Sequence, residues 1–299
     1  MKKIVILYIV LTAFLFGTME VALKIAGSEM DSFQLTFLRF IIGGIFLMPF
    51  AFGEMNRNKN RLSFSDLRWA LLLGVLCIPL SMLFFQLGIM KSNASTAAVL
   101  MSVNPFFTSI FAYLILKEKL SKAKVTGILI GLAGIFFMIR PWDIQAGNTW
   151  TGAGLMILAA AIFGLYSVAG KIRIERIGII TQTSLSFVMG SLVLLVIMLF
   201  MHRPIFQGVA ENIWIVMYIS IFVTGFGYYF YFMAIKNSNA TTASVAFFIK
   251  PAIAPAFAVF VLKDVLVWST YVGIGLILLA SFVSLKKIKI KNNSGEASE

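Results

Sequence analysis

Ten apolar runs, each about as long as a helix that crosses a lipid bilayer, fix what this chain can become: residues 4–25, 33–53, 67–90, 94–116, 122–140, 150–172, 180–201, 211–236, 240–262 and 268–286. A hydrocarbon core of about 30 Å takes roughly 20 residues of helix. Backbone in lipid must close its own hydrogen bonds, and uninterrupted apolar segments do so as helices. The predicted fold class is therefore all-α integral membrane, with ten transmembrane helices. Of 299 residues 60% are hydrophobic and 12% charged, and the connections are short, so no stretch is left to fold as a separate soluble domain. Only "KNNSGEASE" at the end reads as a tail. The opening "MKKIVILYIVLTAFLFG" has the basic start and apolar stretch of a signal peptide. Its apolar run continues to Ile25 with no clear small-residue cleavage site, so it reads as a retained first helix.

A net charge of +13 would suggest a nucleic-acid partner in a soluble protein, but here the position of the charges explains it better. With the N-terminus inside, eighteen Lys and Arg fall at inner loops and helix ends, while six (Lys24, Arg39, Lys91, Arg140, Arg203 and Lys263) fall toward the outside. Basic loops stay on the cytoplasmic side, so both termini are expected there. Trp69, Trp142, Trp150, Trp214 and Trp268 all land at predicted helix ends, where tryptophan prefers the bilayer interface. The single cysteine, Cys77, rules out an intramolecular disulfide and reads as a small buried apolar side chain.

The second half of the chain repeats the first. Shifted by 146 residues, "SNASTAAV" at 92–99 meets "SNATTASV" at 238–245, Pro105 meets Pro251, and Gly127 meets Gly273. Shifted by 147, "FGTMEVALKI" at 16–25 meets "FGLYSVAGKI" at 163–172, and Gly43 meets Gly190. The expected organisation is a first five-helix repeat over 1–145, a second over 146–288 and a cytoplasmic tail over 289–299. Five is odd, so the second copy enters the membrane from the opposite side. Two inverted repeats related by an axis in the membrane plane can pack in two equivalent ways, one open to each side, which is the geometry of alternating access.

These residues resemble a known family. "FGTMEVALKIAG" in the first helix, "FLRFIIGG" in the second, and "SNASTAAVL", "NP" and "KEKLS" with their echo after 238 are similar to the EamA-type branch of the drug/metabolite transporter superfamily, over about 1–286. The resemblance implies a multi-pass secondary carrier of a bacterial inner membrane, usually an exporter of small metabolites such as amino acids. It also implies a substrate cavity between the halves, with helices five and ten bracing the outside. The chain departs from the family at Glu20, a position more often uncharged there.

Ionisable groups within a membrane are costly and need a reason. Glu20 lies some sixteen residues into the first helix, where it can pair with Lys24 at i+4, bind substrate or carry a proton. Lys250 is about ten residues from either end of the ninth run, too deep to snorkel easily, on a stripe of small residues that includes Ala243 and Ala246. It is expected either to pair with Glu20 or to hold an anionic group of the substrate. The first repeat has neutral Asn104 at this position, so the repeat is asymmetric in charge. Pro105, Pro251, Pro255 and Pro79 are the expected hinges, because proline removes a helical hydrogen bond and broken helices mark transporter sites. Gln86, Ser102, Tyr166 and Tyr228 complete the expected substrate-binding set. Tyr231 and Phe232 are expected in the inner interfacial belt, and Arg39 is expected to snorkel or pair.

His202 has no second histidine and no cysteine beside it, so neither a metal site nor any other cofactor is expected. No catalytic triad, paired-carboxylate site or phosphate-cradling loop is present in the sequence, so an enzyme is not expected. The expected partners are a small-molecule substrate and the lipid bilayer, with no nucleic acid; proton coupling and a homodimer are compatible with the sequence. The rival readings are a non-transporting scaffold or assembly protein, and an exporter of cationic drugs that uses "GYYFYF" at 227–232 as an aromatic cage.

Overall fold

The computed structural model describes residues 3–58, 61–118, 122–139, 149–247, 249–250, 253, 259 and 268–293. Its secondary structure is helical, with no strand among the described residues. Two long helices come first, α1 (Lys3–Glu29) and α2 (Ser32–Asn58). The third apolar run is α3 (Phe64–Val75), a π-helical stretch Leu76–Met82, and α4 (Leu83–Met90). The fourth is split into α5 (Ala94–Met101) and α6 (Asn104–Leu116), and α7 (Lys122–Ile139) follows. In the second half come α8 (Trp150–Ile172), the short α9 (Ile174–Ile177) and α10 (Ile179–Phe200). Then α11 (Ile213–Met217), a second π-helical stretch Tyr218–Phe226 and α12 (Gly227–Asn237) form one run. The described helices end with α13 (Ala240–Ala243) and α14 (Trp268–Asn293), so the helix continues into the sequence expected to be a tail.

Seven of these stretches are long and apolar enough to cross a membrane, and two shorter apolar helices, Val125–Phe137 and Trp268–Ala280, accompany them. The ninth expected span, 240–262, lies partly outside the described residues, as do the expected hinges Pro251 and Pro255. Large apolar side chains within the runs face outward, among them Leu129 and Leu192, whereas the polar groups named below are covered by protein. This is the inside-out distribution of a multi-pass membrane protein, where lipid solvates apolar surface and buried polar atoms need protein partners.

Capping chemistry sets several helix starts. Ser63 and Asp66 form a reciprocal capping box on α3. Thr149 accepts from Gly152 N (3.0 Å) at α8, and Asn239 accepts from Thr242 N (2.8 Å) at α13. At α10 the cap comes from another helix: the Glu54 carboxylate accepts from Ile179 N and Thr181 N at 3.1 and 2.9 Å. That approach is available because Gly178 has φ +97° and no side chain to obstruct Glu54.

Close helix crossings recur at the spacing of the sequence repeat. A Cβ on Gly43 of α2 would lie 2.8 Å from Ser220 O, and one on Gly190 of α10 would clash with the backbone of Gly74. Gly43 and Gly190 are 147 residues apart, Gly74 and Ser220 are 146 apart. Likewise a Cβ on Gly17 would lie 2.7 Å from Ile253 Cγ2, and one on Gly164 3.1 Å from Phe107 Cβ, where Phe107 and Ile253 again differ by 146. The two π-helical stretches also occupy corresponding positions of the third and eighth apolar runs. Glycine here lets backbones approach as small residues do in membrane helix pairs.

Candidate functional site

Helix α1 is apolar along most of its length, so a carboxylate within it persists only where other helices cover it. Glu20 is fully covered. Gly17, one turn earlier on the same helix, allows Ile253 to approach, and this brings the segment carrying Lys250 against α1. The Lys250 ammonium meets Glu20 Oε1 directly, and both side chains have 0% exposure. The rings of Phe85 and Phe247 lie 5.4 and 5.7 Å from Lys250 Nζ, within cation–π range. Glu20 Oε2 accepts no hydrogen bond among the described residues.

Lys24, the alternative partner for Glu20, turns elsewhere. Its ammonium donates to the carbonyls of Ile89 (3.1 Å) and Ser92 (2.9 Å), tying α1 to the end of α4.

Arg39 corrects an expectation. It does not reach an interface: it is 1% exposed, on the α2 face that packs into the protein. Its Nη1 donates to Met19 Sδ at 3.5 Å, and its guanidinium carbon lies 4.7 Å from the centroid of Phe40. Met19 adjoins Glu20 in α1, so Arg39 lies against the helix that carries the carboxylate of the pair. Counting depth along one helix missed this, because burial depended on what packed across it.

An aromatic wall stands beside these charges. Tyr228 has Phe187, Phe16, Phe40, Phe163 and Tyr166 around it, with ring centroids at 5.0, 5.3, 5.7, 5.8 and 6.4 Å. Cys77 Sγ donates to Tyr228 Oη at 3.9 Å, which places the lone cysteine in the same wall. Tyr231 and Phe232 also belong to the interior, with exposures of 0% and 1%, and not to an interfacial belt. Tyr231 donates to Ser167 Oγ at 2.9 Å and packs on Phe16, Phe163 and Phe247, because helices α1 and α8 cover the part of α12 that sequence depth assigned to the interface.

The other expected residues divide by how well the protein satisfies them. Asn104 donates to Ala160 O (3.0 Å) and accepts from Thr108 Oγ1 (3.1 Å), bridging α6 to α8. Ser102, just past the end of α5, donates back to Ala98 O at 2.8 Å. Gln86 differs: it is fully buried beside Gly27, and its amide has no hydrogen-bond partner among the described residues. Pro105 opens α6 immediately after the break at Ser102–Val103, and Pro79 lies inside the first π-helical stretch.

Ionic contacts fasten both ends of the bundle. At one end Asp66 accepts from Arg176 (2.9 Å) and Arg173 (3.2 Å), and Glu118 from Lys171 (3.0 Å) and Thr241 (3.0 Å). The hydrogen bond and charge of Asp66 raise the Arg176 pKa above the ordinary arginine value. At the other end Arg203 meets Asp31 (3.2 Å) and Gln34 donates to Gln207 O (2.7 Å).

Comparison with known proteins bears on this arrangement. The model of the EamA-like transporter family matches residues 3–140 and again 150–286. An uncharacterized transporter of Clostridium kluyveri is 35% identical over 294 residues, covering 96% of this chain and 94% of its own. An uncharacterized transporter of Archaeoglobus fulgidus is 26% identical, covering 96% of this chain and all of its own. A crystal structure only 19% identical superposes with a TM-score of 0.73 over 93% of this chain and 95% of that one, so the fold is shared.

Proposed function

The chain belongs to the EamA-like transporter family, and from that premise we propose that this transporter is a secondary carrier that exports a small polar metabolite by alternating access. The Glu20–Lys250 pair carries the reading. Two opposite charges from separate halves of the sequence meet at full burial, where membrane proteins keep charges for substrates, ions or protons. Their complete cover, with ties at both bundle ends, corresponds to an occluded conformation. Opening toward one side parts helices around the pair, and Glu20 then takes the coupling proton while Lys250 is released.

Two inverted five-helix halves, ten spans in all, supply the two access states. The matched glycine crossings and π-helical stretches support that organisation. Both termini lie on the cytoplasmic side of a bacterial inner membrane, a reading supported by the basic inner loops. The test is a thermal-shift screen of the purified protein against amino acids, organic acids, nucleobases, polyamines and cationic dyes, followed by uptake of the hits into proteoliposomes. A pH gradient is expected to drive accumulation by the wild type, and Glu20→Gln to remove that dependence while leaving binding measurable. Gradient-driven uptake that survives Glu20→Gln would refute the assignment of the proton.

A further inference from the structure

Among the described residues, Arg39 is the charge of the central cluster that makes no ion pair. Glu20 and Lys250 neutralise one another, so together with Arg39 the cluster is cationic by one unit. A guanidinium at 1% exposure has lost water, and among the described residues its donors find only the weak acceptor of the Met19 thioether. Its Nε and Nη2 have no hydrogen-bond partner among the described residues. Those two nitrogens present parallel N–H bonds on one edge of the guanidinium, the edge that grips a carboxylate with two hydrogen bonds. Phe40 packs on the guanidinium face and Tyr228 on Phe40, so the fork is held beside an apolar, aromatic wall.

We propose that Arg39 binds the anionic group of the substrate through Nε and Nη2, and that the substrate is a small organic acid with one carboxylate and a net charge of −1. This rests on the transport reading above and narrows its substrate. In the occluded state, with Glu20 ionised against Lys250, one surplus positive charge is balanced by a monoanion. A zwitterion would bring an ammonium whose natural acceptor, Glu20, is already engaged by Lys250. A cationic drug would meet a like charge at close range, which disfavours the exporter of cationic drugs among the rival readings.

The test compares the wild type with Arg39→Lys and Arg39→Gln by thermal shift, using a panel of monocarboxylates from acetate to phenylacetate and octanoate. Each acid is run beside its neutral amide and the corresponding primary amine. At least one carboxylate is expected to raise the wild-type melting temperature while its amide and amine do not. Arg39→Lys keeps the charge but loses the fork, and is expected to raise the half-saturating concentration at least about tenfold. Arg39→Gln is expected to abolish the shift without lowering the melting temperature of the ligand-free protein, since it removes a buried charge that makes no ion pair among the described residues and gives up only a weak thioether contact and a cation–π contact. A merely structural Arg39 would give the opposite pattern, a lower ligand-free melting temperature with the carboxylate shift retained. That pattern, an equal response to amide and acid, or no response to any carboxylate would overturn the proposal. Substrate accumulation in proteoliposomes separates this from the wider reading: a transporter that moves amines or neutral compounds with Arg39→Gln intact in activity sinks the proposal and leaves secondary transport standing.

Discussion

Glu20 and Lys250 show what one pair of residues asks of the surrounding protein. An ion pair at full burial gives up the hydration of both partners, and here much of its hydrogen-bonding capacity has no partner among the described residues. Removing one member leaves the other uncompensated. Glu20→Gln or Lys250→Met alone is therefore expected to cost about 3 to 5 kcal/mol of stability, while the double substitution recovers most of it. Thermal or chemical denaturation in detergent reads this, and equal, additive losses would show that the two charges do not depend on each other. The sequence exposed both residues as charges at membrane depth and allowed their pairing. It did not expose Arg39. Depth along α2 put that residue within reach of an interface, whereas in the folded arrangement it is buried and reaches Met19 of α1.

Two kinds of helix irregularity separate what the sequence announces from what it hides. Pro105 signalled a break, and the structure ends α5 at Met101 and restarts the helix at Asn104, two residues of tight turn later. The π-helical stretches at Leu76–Met82 and Tyr218–Phe226 were not signalled as a pair, because Pro79 lies within the first and no proline lies within the second. A π turn widens the helix by one residue and is common at functional sites. It recurs in both halves, between α3 and α4 and between α11 and α12, and substitution of Pro79 tests whether it serves transport. Pro79→Ala restores a backbone donor and favours a regular helix. We expect that variant to melt at the same or a higher temperature than the wild type while its transport turnover falls severalfold. Unchanged turnover at equal reconstitution would remove the π stretch from the mechanism.

At the scale of the molecule, apolar run length and the repeat made the helical membrane fold legible, because both depend on local sequence alone. Which charges meet across helices was not legible, since that follows from crossings such as Gly74 with Gly190, where the absence of two side chains decides the approach. The ends of the bundle carry the remaining information. Asp66 with Arg173 and Arg176 ties the start of α3 to the end of α8 and to α9, and Asp31 with Arg203 ties the α1–α2 turn to the loop after α10. Each tie joins the first half of the chain to the second. Alternating access requires that one tie opens while the other holds. The most direct measurement is pulsed electron-spin distance determination in liposomes on a Cys77→Ala background, with one label pair at Arg61 and Ile172 across the first tie and another at Ser28 and Phe206 across the second. The account predicts two distances at each end, with populations that shift in opposite directions when a transported ligand or a pH change is applied. A single unchanging distance at either end under every condition would contradict it.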